Sequence, residues 1–129
     1  MWTKKLLILT TCVMLTTACF VFADDCDDYC VNDYARALKG DKNMIGARLE
    51  GAKLSGADLS SVDFTNADLE KADLSNANLT NAKFNGADLE STNLKGAKIQ
   101  GAIFKGAELE FATWADGRVC GEGSISGCW

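Results

Sequence analysis

The sequence predicts an all-β solenoid, a rod made of short stacked coils of extended chain. Four nearly identical stretches, MIGARLE, FTNADLE, FNGADLE and FKGAELE, begin 20 residues apart, at positions 44, 64, 84 and 104. Throughout this region an apolar residue returns at every fifth position, a period that fits neither an α-helix nor a simple β-strand. Because a five-residue unit cannot bury its own apolar residue, stacked neighbouring units must bury it.

The apolar positions define fifteen successive units, each with one central residue. These centres are Met44, Leu49, Leu54, Leu59, Phe64, Leu69, Leu74, Leu79, Phe84, Leu89, Leu94, Ile99, Phe104, Leu109 and Trp114. Alanine stands two positions before most centres, with Lys42, Val62 and Thr92 as the exceptions. Most of the other positions carry Asp, Asn, Ser, Thr, Lys, Glu or Gly.

This pattern resembles the consensus A-(D/N)-L-x-x of the pentapeptide-repeat family, and the resemblance covers residues 42–116. It implies a right-handed quadrilateral β-helix of about four coils, each coil made of four units, with the centre and the preceding alanine pointing inward. Residues 20 apart then stack on one face, so Phe64, Phe84 and Phe104 should form an interior column above Met44. Coils ~4.8 Å apart give a rod about 18 Å tall.

The first 23 residues read as a secretory signal peptide. Two lysines precede an apolar run over residues 6–22, and Val21 and Ala23 occupy the −3 and −1 positions of a cleavage site. Two alternatives stay open. The run is just long enough to be a retained membrane anchor, and Cys19 after LTTA allows a lipoprotein anchored at that cysteine. Cleavage after Ala23 predicts a protein of a bacterial periplasm or a secreted protein.

Cleavage would leave 106 residues, the size of one domain. The formal charge would change from −5 to −7, because two lysines are removed. Such an acidic chain argues against nucleic acid or, once the signal is cleaved, a membrane as a direct partner. Four cysteines remain, an even number in an exported chain, so disulfides are expected.

Both ends of a stacked rod need a cover, since open sheet edges invite aggregation. Residues 24–41 are predicted to form an N-terminal cap with a short helix that stops near Gly40. The glycine-rich residues 117–129 are predicted to form a C-terminal cap.

The disulfides are expected within these caps. The caps lie at opposite ends of the rod, and a disulfide needs Cα atoms within ~7 Å, so Cys120 should pair with Cys128 and Cys26 with Cys30. A zinc site built from all four cysteines is the alternative, but their spacings are not those of a zinc ribbon.

Catalytic motifs are missing from the sequence. The chain has no histidine, which excludes Ser–His and Cys–His nucleophiles. It has no phosphate-binding loop or dinucleotide fingerprint. The stretch GEGSISG, residues 121–127, does not place serine at the centre of a G-x-S-x-G motif. We therefore expect no enzymatic activity, no cofactor, and no catalytic or metal-binding residues.

One outward face of the predicted rod is acidic. It carries Arg48 and seven carboxylates, which flank the centres of one column and which we call the acidic face: Glu50, Asp68, Glu70, Asp88, Glu90, Glu108 and Glu110. Two interpretations stay open. Repeat duplication copied a solvated residue, or the face docks a basic protein partner, because complementary charge speeds and orients encounter. A calcium site is disfavoured, since a flat ladder offers few oxygens to one ion.

The sequence thus predicts a non-catalytic exported scaffold that presents its acidic face to an unidentified, basic protein. The resemblance implies an alternative, because some cytoplasmic members of the family imitate duplex DNA and bind DNA gyrase, which links them to quinolone resistance. Export argues against that alternative. Phe111 takes an outward position, where we expect the C-terminal loop to cover it; a dimer contact at this end, with Trp114 and Trp129, is the other interpretation.

Overall fold

The computed structural model describes residues 28–128, with side chains from residue 33 onward. It begins with helix α1 (Asp28–Leu38), after which the chain winds into a right-handed quadrilateral β-helix. Neighbouring coils meet through isolated parallel bridges, each of which joins residues 20 positions apart, from Asn43–Asp63 to Asn93–Thr113. The predicted solenoid with four units per coil is therefore confirmed.

Each coil has four sides, and the centres of successive coils stack in four columns. The phenylalanine face has the centres Met44, Phe64, Phe84 and Phe104; the acidic face has Leu49, Leu69, Leu89 and Leu109; the third face has Leu54, Leu74, Leu94 and Trp114; the fourth face has Leu59, Leu79 and Ile99. These centres fill the interior together with the alanines. The rings of Phe64, Phe84 and Phe104 stack as predicted, with centroids 5.2 and 5.0 Å apart.

Each corner of a coil is a four-residue turn closed by a backbone hydrogen bond. The N–H of the alanine position donates to the C=O of the preceding centre, as from Ala67 to Phe64 at 3.0 Å. The third residue of the turn has a φ between 56° and 73°, which is typical of a type II turn. Gly, Asn and Ser hold most of these positions because they tolerate the left-handed region. The two bulkier residues there are Lys71 and Phe111.

Backbone hydrogen bonds join every coil to the next. Leu69 N–H donates to Asp88 O at 2.8 Å, and Asp88 N–H donates back to Ala67 O at 2.9 Å. Where Asp or Asn precedes the centre, its side chain adds a further bond, since its Oδ1 accepts the N–H of the residue after the centre; between Asp63 and Thr65 the distance is 3.1 Å. This bond pairs an N–H that the ladder does not use.

Side chains of α1 and the segment after it take the place of a missing coil below the rod. Asp33 Oδ2 accepts the N–H of Arg48 at 3.0 Å. Arg36 donates to the C=O of Asn43 and pairs with Asp33 at 2.9 Å. Gly40, with a φ of 78°, turns the chain from the helix into the first coil. The first coil therefore finds polar partners without another coil beneath it.

Several predictions about the N-terminus lie outside the described residues. They are the signal peptide, the part of the cap before residue 28, and the Cys26–Cys30 pairing. Residues 28–128 include no helix that is long and apolar enough to cross a membrane.

The C-terminal segment covers half of the top of the rod. Val119 bridges Thr113 on the third face, and Ile125 bridges Glu108 on the acidic face, both antiparallel. The Cys120–Cys128 disulfide is present, with Cα atoms 4.9 Å apart. The segment thereby ends the backbone ladder on two of the four faces.

The top edge of the other two faces is open. Within residues 28–128, the N–H groups of Ile99, Gly101 and Phe104 have no hydrogen-bond acceptor. Exposed Lys98 and Lys105 flank this edge. Charged side chains of this kind oppose pairing with the edge of another molecule.

Replacing Ala72 by leucine should overpack the interior, because Ala72 is fully buried in a close-packed column. We expect a loss of about 1–3 kcal/mol in the free energy of unfolding, measured by thermal denaturation followed by circular dichroism. The control is Asn85→Leu, which adds the same side chain at an outward turn position. Equal melting temperatures for wild type and Ala72→Leu would contradict the packing argument.

Asp63 tests the side-chain bond within the repeat. Asp63→Ala should cost about 1 kcal/mol, whereas Asp63→Asn keeps an acceptor for Thr65, as Asn78 does for Thr80 at 3.3 Å. The hydrogen bond from the Thr65 hydroxyl is the main reason that the pKa of Asp63 lies below its ordinary value. A lowered pKa adds stability that is present above the unfolded-state pKa and is lost as the pH falls through the folded-state pKa.

Urea unfolding at neutral pH and at about pH 3, below the ordinary Asp pKa, measures both effects of the Asp63 substitutions. Asp63→Asn should lose less stability on acidification than wild type. An equal loss in the two proteins would show that Asp63 does not contribute to the acid sensitivity.

The open edge predicts that Lys98 and Lys105 keep the rod monodisperse. We expect Lys98→Thr/Lys105→Thr to aggregate faster than Lys39→Thr/Lys53→Thr, measured by light scattering. Both variants become more negative by the same amount, which alone would favour solubility. Equal aggregation of the two variants would rule out a specific protective role at the edge.

Candidate functional site

The structure brings all seven predicted carboxylates of the acidic face together in two parallel columns. One column is Arg48, Asp68, Asp88 and Glu108, joined by successive parallel bridges. The other is Glu50, Glu70, Glu90 and Glu110, one coil apart. The backbone ladder therefore arranges these charges as two straight lines along the rod.

The aspartates of this face have a structural role that the sequence analysis missed. Asp68 Oδ1 accepts the N–H of Glu70 at 3.2 Å, and Asp88 Oδ1 accepts the N–H of Glu90 at 3.0 Å. The same bond recurs on the other faces, as from Thr65 to Asp63. The recurrence of Asp and Asn immediately before the centres was the feature of the sequence that could have indicated this structural role. Asp68 and Asp88 are therefore partly explained by the demands of the fold.

The glutamates make fewer contacts. Within the described part of the chain, the side chains of Glu50, Glu90 and Glu110 form no hydrogen bond and no ion pair. Glu70 pairs with Lys71. The glutamate column is thus the part of the acidic face whose side chains the fold leaves available.

Lys71 is a cation at the edge of the acidic face that sequence reasoning did not include. It lies in the turn after Leu69, and its pKa is raised first by the hydrogen bond and charge of Glu70, then by the charges of Glu50 and Glu90. Only residues flanking the centres were considered for the face, whereas the corner residue also reaches it. This exposed ion pair offsets part of the repulsion and contributes little to stability.

The other three faces carry lysines in the upper half of the rod. Lys83, Lys95, Lys98 and Lys105 lie there, and Lys83 approaches Asp63 on the coil below at 3.4 Å. On these faces most outward columns mix charged and neutral side chains. A column of one charge sign through four coils occurs on the acidic face, in its glutamates.

The carboxylates of the acidic face follow a line instead of surrounding a point. Among residues 28–128, no group of three or more Cys, Asp or Glu side chains is placed to hold a metal ion. Cys120 and Cys128 join in the disulfide described above. This surface can attract positive charge, both at long range and on contact.

The expectation that the C-terminal loop covers Phe111 is wrong. The ring is 47% exposed, because the loop passes beside it: Cys120 O accepts the N–H of Phe111 at 3.1 Å. Trp114, in contrast, is half-buried and tilts onto Phe104, with ring centroids 5.0 Å apart, so that it closes the interior. Trp129, which the alternative dimer contact included, lies outside the described residues.

Comparison with protein families matches the chain to pentapeptide repeats (8 copies), over residues 43–81 and 72–110. These two segments together cover more than half of the 129 residues. A search of curated proteins gives no match.

The solved structures to which the chain is similar include two pentapeptide repeat proteins and a fluoroquinolone resistance protein. One is a pentapeptide repeat protein of the Arabidopsis thaliana thylakoid lumen, with 24% identity, a TM-score of 0.59, and coverage of 69% of this chain and 62% of that one. A second is a pentapeptide repeat protein of Nostoc PCC 7120, with 32% identity, a TM-score of 0.41, and coverage of 60% and 74%. A third is QnrB1, a plasmid-mediated fluoroquinolone resistance protein, with 22% identity, a TM-score of 0.29, and coverage of 61% and 54%.

The chain spans less than two thirds of the length of the thylakoid-lumen protein, and that likeness shows a shared fold. Pentapeptide repeat proteins are generally non-catalytic structural and interaction modules. The unbroken five-residue repeat, the square coils and the family match lead to one conclusion: this chain belongs to the pentapeptide repeat family.

Proposed function

We propose that this protein is a non-catalytic scaffold that docks a basic protein partner on its acidic face. The observation that carries the proposal is the glutamate column, in which four successive coils place the same side chain at the same outward position: Glu50, Glu70, Glu90 and Glu110. On the other faces the corresponding position varies from coil to coil, as in the series Thr65, Asn85 and Lys105.

The electrostatic cost of this column supports the proposal. Like charges ~4.8 Å apart, the spacing of neighbouring strands, repel by about 0.9 kcal/mol in bulk water, and less once salt screens them. Neutral residues hold the same turn position on other faces, so the fold itself does not require glutamate. A cationic partner would convert the repulsion into attraction and would orient the encounter.

We place this scaffold outside the cytoplasm. The basic and apolar start of the chain supports export, and disulfides such as Cys120–Cys128 persist in oxidising compartments. The gyrase-binding alternative needs a reduced, cytoplasmic protein, so we do not propose it. Intact mass after cell fractionation tests this point: we expect a periplasmic or secreted species starting at Asp24, and a full-length cytoplasmic species would contradict export.

Neutralising the glutamate column should abolish partner binding without weakening the fold. The test variant changes Glu50, Glu70, Glu90 and Glu110 to Gln. The control variant removes as many charges from the other faces, by Asp58→Asn, Asp63→Asn, Asp73→Asn and Asp116→Asn. Asparagine keeps the acceptor oxygen that each of these aspartates offers to a backbone N–H.

The readout is quantitative capture of envelope proteins on immobilised wild type and on the two variants, with mass spectrometry of what is bound. Wild type and control should retain the same basic protein, and added salt should weaken its binding. The glutamine variant should not retain it, although its melting temperature should equal or exceed that of wild type. Equal capture by the glutamine variant would leave repeat duplication as the explanation of the column.

A further inference from the structure

An exposed apolar patch lies at the top of the acidic face. We define the apolar patch as Phe111, Val119 and Ile125, whose exposed fractions are 47%, 65% and 53%. Exposed apolar side chains that form a contiguous patch rimmed by polar residues mark interaction sites more often than isolated ones do.

The bridges of the C-terminal segment bring the three residues around one corner. Ile125 bridges Glu108 on the acidic face, and Val119 bridges Thr113 on the third face. Directly bridged residues project to the same side of a sheet, so Ile125 and Val119 face outward like their partners. Phe111 occupies the corner between these two faces. The apolar patch therefore begins at the upper end of the acidic face and extends around the corner onto the third face.

Phe111 adopts a backbone conformation that is unfavourable for an aromatic residue. Its φ is 56°, in the left-handed region, and the coils below place Gly51, Lys71 and Ser91 at the same corner. About half of its surface stays exposed, and the aromatic contacts of the described residues run through Phe84, Phe104 and other core rings instead. The turn requires the left-handed conformation at this corner, but it does not require phenylalanine, so the choice of this residue is a candidate for a functional role.

The patch is held in place before any partner arrives. Cys120 is buried and disulfide-bonded to Cys128, and its C=O accepts the Phe111 N–H. Leu109 N–H donates to Ser124 O at 2.9 Å, which fixes the segment beside Ile125. A preorganised apolar anchor loses little conformational freedom on binding.

We propose that the apolar patch anchors a cationic, amphipathic segment of the partner protein, whose basic side chains meet the glutamate column and whose aliphatic or aromatic side chain packs on Phe111. This inference rests on the proposed function of the acidic face. Glu108 and Glu110 border the patch, and charge complementarity with them selects a cationic occupant. A second copy of this chain would instead bring two glutamate columns towards each other.

The spacing of the column favours a helical segment. Basic residues one helical turn apart are separated by ~5.4 Å along a helix, close to the ~4.8 Å between coils. On an extended segment, side chains on the same side are two residues and ~6.7 Å apart. Their spacing therefore departs from that of the glutamates after fewer coils. Flexible Lys and Arg side chains can absorb the smaller mismatch over a few coils.

The test uses a displayed library of random peptides of about 12 residues, long enough for three helical turns, selected against the full, disulfide-bonded protein. Affinities of the enriched peptides are then measured by titration calorimetry. We expect peptides with several Lys or Arg and one large apolar residue. Phe111→Asn should weaken their binding at least about tenfold, as expected for loss of an aromatic hot spot. The matched control is Ile45→Asn, which removes an exposed apolar residue of the lowest coil and should bind like wild type.

Phe111→Asn is expected to fold, because Asn66, Asn76 and Asn81 hold the equivalent turn position at other corners with a φ of 57°, 57° and 59°. Its melting temperature should match or exceed that of wild type, so a loss of binding would not reflect unfolding. Binding of wild-type strength by Phe111→Asn would overturn the anchor.

Other outcomes separate the anchor from the acidic face. If the variant with glutamine at all four glutamate positions loses binding but Phe111→Asn does not, the proposed function stands and the apolar anchor fails. If the enriched peptides are not basic and bind the glutamine variant normally, the proposed function fails, and the cationic occupant with it. No enrichment at all, or sedimentation of wild type as a dimer that Phe111→Asn dissociates, would also overturn the proposal.

Discussion

The backbone ladder between coils is the interaction on which the rest of this structure depends. It joins each residue to the one 20 positions later, through bonds such as Leu69 N–H to Asp88 O. A sequence motif that returns at this interval is therefore converted into a straight column in space. The glutamate column and the stack of phenylalanine rings have the same cause, one outside and the other inside the rod. Once this register is formed, no other long-range contact is needed to bring the seven carboxylates together.

The ladder also leaves some backbone groups without partners, and many polar side chains of the surface pair with these groups or protect the open edge. It leaves the N–H after each centre without a backbone partner, and where Asp or Asn precedes the centre, its side chain accepts this N–H, as Asp63 does for Thr65. It leaves the lowest coil without a neighbour, so Asp33 and Arg36 supply an acceptor and a donor. It leaves the uppermost coil open on two faces, where exposed lysines stand at the edge. Conspicuous polar residues in this protein are thus often structural, and a pattern of Asp or Asn alone says little about function.

This dependence explains what the sequence could and could not predict. The five-residue period and its echo at 20 residues were sufficient for the fold, the phenylalanine column and the composition of the acidic face. The local Cys120–Cys128 pairing followed from the distance between the rod's ends. The exposure of Phe111 was beyond reach, since it depends on the path of a segment outside the repeat. Lys71 was missed because a corner residue lies between two faces. The linear sequence does not show to which of the two faces its side chain points.

The useful distinction on this rod is between side chains that the fold uses and side chains that it merely permits. Asp68 and Asp88 bond to the backbone, so their presence needs no partner to explain it. The glutamates have no comparable bonds to the backbone, and repulsion along their column counts against them. Phe111 is similar in kind, because its conformation is unfavourable and its ring is half exposed. The glutamate column lies on the acidic face, and Phe111 lies at the corner where the upper end of that face meets the third face. One binding surface, as proposed above, would use both departures, because the glutamate column supplies charge and Phe111 supplies an apolar contact at its upper end.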